Sequence, residues 1–249
     1  MHRESDAVRP TRRHAGPVSE GRARATAFQP LEALLVGLTF LTGMVDAITY
    51  LGLGHIFTAN MTGNVVLLGF ALVGADQVSI AGSLLSLAAF VVGAALGGRL
   101  GRVLPPRSER RILSSLALEA ALLGAAAGWT LLWPTVTSSA TVILLALAMG
   151  MRNATVRQIA VPDLTTTVLT GTLTDLGIHL QTRDSAPCAQ PRRLAAVVAL
   201  LTGAATGALV LRGGLATAIL ATLGVLVLES AAYVLSLRRA QALAPAAAT

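Results

Sequence analysis

The sequence predicts an all-α, polytopic membrane helix bundle with six spans, two short re-entrant or broken polar segments and an inverted 3+3 repeat. Three observations predict it. The chain is 54% hydrophobic and only 12% charged, with a mean hydropathy of +0.70, about half the charge of a typical globular domain. Its apolar residues fall into runs of roughly the 20 residues needed to cross about 30 Å of hydrocarbon. Its basic residues, 19 in number and all Arg, collect between those runs.

Residues 1–30 hold Arg3, Arg9, Arg12, Arg13, Arg22 and Arg24, with no apolar run before Leu31. They read as a disordered, basic, cytoplasmic tail with no cleavable signal peptide. The membrane domain is expected over 31–237. Leu31–Leu53 is the first span, and Thr58–Gly74 is short and opens on polar residues. Ile80–Gly98 is a clean span, followed by Arg99–Arg111, a loop with five Arg and Pro105-Pro106. Ile112–Trp133 spans and ends on Trp129 and Trp133, a placement typical of the membrane interface. Ser138–Ala160 spans but carries Arg152, Asn153 and Arg157. Thr165–Leu180 is short and rich in Thr, and Arg183–Arg193 is a second basic loop. Leu194–Leu211 and Leu215–Leu237 complete the bundle, and 238–249 form a short cytoplasmic tail.

Charge decides how many of these eight segments cross. The tail, Arg99–Arg111, Arg183–Arg193 and Arg238-Arg239 are all basic, so the positive-inside rule assigns all four to the cytoplasm. Three segments separate the first from the second, and three separate the second from the third. An odd number of crossings violates the rule, and it is restored if one segment in each trio enters and leaves on the same side. Thr58–Gly74 and Thr165–Leu180 are the candidates. The alternative is eight full spans, in which the charge rule misplaces a basic loop.

A shift of 107 residues lays Gly43-Met44 on Gly150-Met151, Asp46-Ala47 on Asn153-Ala154 and Thr58 on Thr165. With one inserted residue, Thr62-Gly63 falls on Thr170-Gly171. The segment order matches too, giving repeat one at about 31–133 and repeat two at about 138–237. With six spans the halves run in opposite senses, a build used by transporters that bind near the midplane. The N-termini of the two short helices would then face a shared site favouring an anion or a polar, electron-rich solute.

The candidate pathway residues follow from this repeat. Asp46 lies ~22 Å into its span at about 1.5 Å per residue, where a carboxylate must be paired, protonated or facing water. It reads either as a coupling or pore contact or as packing glue between helices. Asn153 is its repeat partner, and Arg152 is the counter-charge candidate unless it snorkels to the surface. Thr58, Asn60, Thr62 and Asn64 open the first short segment; Asp163, Thr165, Thr167 and Thr170 open the second, with Asp175 further along. Helix capping is the simpler role for these polar groups, and lining a polar path is the functional one. Gly63 and Gly69 are candidates for close helix packing. His55 and His179 are expected at interfaces, and Glu119 and Glu229 as partners of Arg or as packing contacts.

No G-x-S-x-G, H-E-x-x-H, P-loop or dinucleotide fingerprint occurs, so no catalytic residue, cofactor or metal is expected. Cys188 is the only cysteine. An Asp46–Asp175 acid/base pair in an intramembrane enzyme is the remote alternative, and a non-transporting scaffold or regulator the nearer one. The leading expectation is a transporter or channel for a small polar or anionic solute. Its partners are the lipid bilayer and that solute, with a homo-oligomer left open. Nothing points to nucleic acid.

LTGMVDAITYLGLGHIFTANMTGNVVLLGFAL, followed by MGMRNATVRQIAVPDLTTTVLTGTLTDL, resembles the YoaK-like family of bacterial integral membrane proteins, over roughly Leu34 to Leu237. The resemblance implies a multi-pass protein of the bacterial inner membrane. The family has no established substrate, so no residue role transfers with it. The matching positions are Asp46, Asn60, Thr62, Gly63, Asn64, Asn153 and Asp163.

Overall fold

A computed structural model describes residues 18–74, 79–103, 108–134, 137–159, 170, 171, 173, 174, 177 and 189–243. The described residues are helical apart from turns and short connections, with no strand among them. The long elements are α1 (Val18–Gly52), α2 (Met61–Leu72), α3 (Ile80–Val103), α4 (Glu109–Leu132), α5 (Thr137–Ile159), α6 (Ala189–Leu211) and α7 (Leu215–Leu243). Thr170, Gly171, Leu173, Thr174 and Gly177 are also helical.

Among the described residues six helices are long and apolar enough to cross a membrane, and α2 is not one of them. Its 12 residues reach ~18 Å at about 1.5 Å per residue, short of the ~30 Å hydrocarbon thickness. The six-span expectation therefore holds, with limits that differ at the ends. α1 begins at Val18 rather than at residue 31 and carries Pro30 within it. α7 continues past Arg238-Arg239 to Leu243. Helix-forming Ala, Arg and Glu in these flanks let the backbone stay helical outside the apolar stretch.

α1 and α5 are the most enclosed spans. Leu35, Leu38, Leu41, Met44 and Ile48 of α1 meet Leu123 and Ala126 of α4, Leu145 of α5, and Ile219 and Leu226 of α7 in one core. The tightest pairings are α3 on α5 and α1 on α6, with α4 on α5 and α7 on both α1 and α4.

Glycines make the two tight pairings possible. A Cβ on Gly43 would overlap the carbonyl oxygen of Leu200 and lie 2.8 Å from Ala204 N, while Gly203 faces Phe40 and Gly207 faces Met44. In the other pairing, a Cβ on Gly150 would overlap the carbonyl oxygen of Phe90 and lie 2.9 Å from Ala94 N, while Gly93 faces Leu147 and Gly97 faces Met151. Small residues let backbones approach this closely in membranes, where dispersion and polar contacts replace the hydrophobic drive between helices. A shift of 107 converts the α1 members of one crossing into the α5 members of the other. A shift of 110 converts the α3 members into those of α6.

The contacts also fix direction. Gly203 faces Phe40 and Gly207 faces Met44, so α1 and α6 are parallel; Gly93 on Leu147 and Gly97 on Met151 make α3 and α5 parallel. Ser115 bonds Thr155 and Glu119 bonds Arg152, so α4 and α5 are antiparallel. Gly52 meets Leu215 while Gly37 meets Glu229, so α1 and α7 are antiparallel. Gly124 beside Leu223, with Glu109 acting on Tyr233, sets α4 against α7 in the same way. Accordingly α1, α4 and α6 run one way and α3, α5 and α7 the other. Arg99, Arg102, Arg110, Arg111, Arg157, Arg192, Arg193, Arg238 and Arg239 all gather at the end where α1 starts. Of the described arginines only Arg212 lies at the opposite end.

Candidate functional site

The chain turns back where α1 ends. Gly54 (φ +86) and His55 (φ 60) are left-handed, and His55 N–H donates to Tyr50 O at 3.0 Å, the i→i−5 bond of a Schellman-type helix end. Residues 55–60 then descend along α1 until they reach the level of Asp46, six residues or ~9 Å below the helix end at about 1.5 Å per residue. There the Asp46 carboxylate accepts three backbone N–H groups through one oxygen: Ala59 at 2.8 Å, Thr58 at 3.2 Å and Asn60 at 3.4 Å. Three donors on one anion suit a site where water is scarce, since each would otherwise be an unpaired backbone group.

The Asn residues complete this turn. Asn60 is the N-cap of α2, its Oδ1 accepting from Gly63 N at 3.1 Å. Asn64, fully buried, clamps Phe57 from both sides: Phe57 N donates to Asn64 Oδ1 at 2.9 Å and Asn64 Nδ2 donates to Phe57 O at 2.6 Å. Ser86 of α3 joins them, donating to Phe57 O at 2.6 Å and accepting from Asn64 Nδ2 at 3.2 Å. α2 then returns to the side it came from, with Val65, Val66, Phe70 and Leu72 exposed as a lipid-facing surface.

Asp46 takes the N–H groups of Thr58, Ala59 and Asn60, and Asn60 takes that of Gly63, so the anion at this turn is the protein's own carboxylate. Asp46 Oδ2 accepts no hydrogen bond among the described residues, and Asp46 lines an open cavity of about 400 Å³. Its walls are Tyr50, Phe57 and Asn60 on one side and Leu200, Ala204 and Ala208 of α6 on the other. Tyr50 stacks on Phe57 (4.8 Å, 22°) and meets His55 edge-on. Tyr50, Phe57 and Ser86 were not among the residues the sequence singled out; an aromatic pair seven residues apart across a turn has no periodic signature.

A second polar group lies deeper in the core. Arg152 of α5 is buried and donates from Nε to Glu119 Oε2 at 2.9 Å and from Nη2 to Glu119 Oε1. Its Nη1 donates to Leu38 O and Thr42 Oγ1, each at 3.0 Å. The ion-pair partner of Arg152 is therefore Glu119, although its field also reaches Asp46. Paired arginine and carboxylate, each hydrogen-bonded, is the form in which charge persists in a membrane interior.

The remaining candidates scatter. Thr58 is buried with its hydroxyl unpartnered, Thr62 and Thr170 are exposed, and Asn153 is half-buried on α5. Asp163, Thr165, Thr167, Asp175 and His179 lie outside the described residues. Gly63 sits against the Phe57 ring, where an added Cβ would come within 2.8 Å of a ring carbon, whereas Gly69 has nothing near it. No group of three His, Cys, Asp or Glu able to hold a metal occurs among the described residues.

The YoaK transmembrane protein of Bacillus subtilis (strain 168), named UPF0700, is 37% identical over 147 residues. The match covers 57% of this chain and 64% of that protein's length. No solved structure matches the chain. Residues 34–232 match the family described as protein of unknown function (DUF1275), and the span of that match places the chain in this family of multi-pass transmembrane proteins.

Proposed function

We propose that the protein is a transporter for a small solute carrying positive charge or several hydrogen-bond donors, bound in the cavity at Asp46. The observation that carries this reading is the wall chemistry. A carboxylate oxygen without a partner, an amide side chain at Asn60 and a stacked Tyr50–Phe57 pair border an open cavity of about 400 Å³. An acid beside aromatic faces favours cations and amines, and Asp46 disfavours the anion that helix polarity alone suggested. The opposed directions of α1 and α5, α3 and α6, and α4 and α7 support a reading as two copies of one inverted unit. The Arg-rich end then faces the cytoplasm of a bacterial inner membrane, with both termini on that side.

The test is uptake of labelled choline, putrescine and small amino compounds by proteoliposomes holding the full chain. Uptake above protein-free vesicles, falling at least tenfold in Asp46→Asn, is expected. Asparagine keeps an acceptor oxygen for the N–H groups of residues 58–60, so the turn survives while the charge goes. Uptake no greater than in empty vesicles overturns the transporter reading; full uptake by Asp46→Asn overturns the site.

A further inference from the structure

One deep cluster of charges does not balance. Glu119, Arg152 and Glu229 come from α4, α5 and α7 and meet beside one turn of α1, where Arg152 bonds Leu38 O and the Glu229 carboxyl sits against Gly37, giving one positive and two negative groups if all ionise. Arg152 holds Glu119 through two bonds and spends its remaining nitrogen on Leu38 O and Thr42 Oγ1. Glu229 Oε2 is buried without a hydrogen-bond partner. The shift of 110 that relates the α3 and α6 glycines also lays Glu119 on Glu229, and the shift of 107 lays Arg152 on Val45. The second carboxyl of the pair therefore has no arginine of its own.

Its surroundings are specific. The Glu229 carboxyl lies within 2.6 Å of where a side chain on Gly37 would begin, so α1 yields it space by having none. It borders a cavity of about 180 Å³ lined by Pro30, Ala33 and Leu34 of α1 and by Tyr233 and Ser236 of α7. Glu229, Tyr233 and Ser236 are spaced i, i+4 and i+7, one face of a helix, and lead toward Arg238-Arg239 at the Arg-rich end. Ser236 Oγ donates to Tyr233 O at 2.6 Å. The other charged groups near this face are Glu109 of α4, which acts on Tyr233, and Glu32 of α1, held by Arg192 of α6 at 2.6 Å. The span 194–211 of α6 has no charged residue.

We propose that Glu229 is a proton-binding site, loaded from the Arg-rich end through this cavity, and that its proton brings the Glu119–Arg152–Glu229 cluster to zero net charge. A lone carboxylate left ionised in the membrane interior has no partner to offset its desolvation. A metal cation would require about six oxygen ligands, and the cavity offers one carboxyl and two hydroxyls. A proton needs only the carboxyl. The proposal stands whether or not the protein transports a solute.

Infrared difference spectroscopy of the full chain in lipid nanodiscs, titrated with pH, tests it directly. A protonated-carboxyl band is expected that moves when the protein is made with carboxyl-¹³C glutamate and that disappears in Glu229→Gln. In Glu119→Gln, Arg152 is freed to hold Glu229, and the band is expected to vanish at the pH where the wild type shows it. A band that does not move with labelled glutamate overturns the proposal without any variant. Persistence of a labelled band of full intensity in folded Glu229→Gln overturns the assignment to this residue, and an unchanged band in Glu119→Gln overturns the sharing of Arg152.

Discussion

The α1–α6 and α3–α5 crossings are built alike and equipped differently. Each is parallel, and each seats one glycine of α1 or α5 and two of α6 or α3 against the partner's backbone. Yet the first crossing carries Asp46 where the second carries Asn153, and Val45 where the second carries Arg152. The two crossings share their packing and not their charge. Backbone contact depends only on residue size, so both copies must keep it. A charge in lipid must be answered by a partner, and each partner need be present only once.

The charge in the second crossing gives the largest expected effect. Arg152→Met leaves Glu119 buried and unpaired, which costs about 3–5 kcal/mol in comparable sites. Thermal unfolding in detergent should show the loss, and the double variant Arg152→Met with Glu119→Leu should recover most of it. A double variant as unstable as the single one would mean that the bonds to Leu38 O and Thr42 Oγ1, rather than the ion pair, hold α1 to α5.

Much of this was legible in the sequence. Arginine placement and the length of Thr58–Gly74 were enough to give six spans and a segment that returns, because both follow from the cost of charge and backbone in hydrocarbon. Asp46 and Asn64 stood out as polar groups in apolar runs, and both prove to be hydrogen-bonded to the turn they help form. What stayed hidden was partnership. No periodicity says that α1 packs on α6 rather than on α3, so these pairings and the Arg152–Glu119 pair, 33 residues apart, emerge only once the helices are assembled. The same gap concealed the aromatic wall of Tyr50 and Phe57.

The shared part of the comparison gives an intermediate effect. Alanine at Gly43 or at Gly150 puts a methyl group into a carbonyl oxygen of the partner helix, Leu200 or Phe90. Backbone cannot yield as a side chain tip can, and overpacking of this kind costs about 1–3 kcal/mol. Losses matched to within measurement error in the two variants would support equivalence of the crossings. A large loss at one and none at the other would break it.

The smallest effect tests the explanation itself. Gly124 lies within α4 where that helix passes α7, and the nearest atom to an added Cβ is Leu223 Cδ2 at 3.9 Å, ordinary van der Waals contact. If close approach is why glycine occupies the two crossings, a helical glycine without close approach should be improvable. Gly124→Ala removes conformational freedom from the unfolded chain without meeting backbone, and such changes stabilise by about 0.4–1 kcal/mol. A rise in unfolding temperature is expected, opposite in sign to Gly43→Ala and Gly150→Ala. A fall would show that α4 and α7 also need a bare backbone where they meet, extending the glycine requirement from the two parallel crossings to this antiparallel contact.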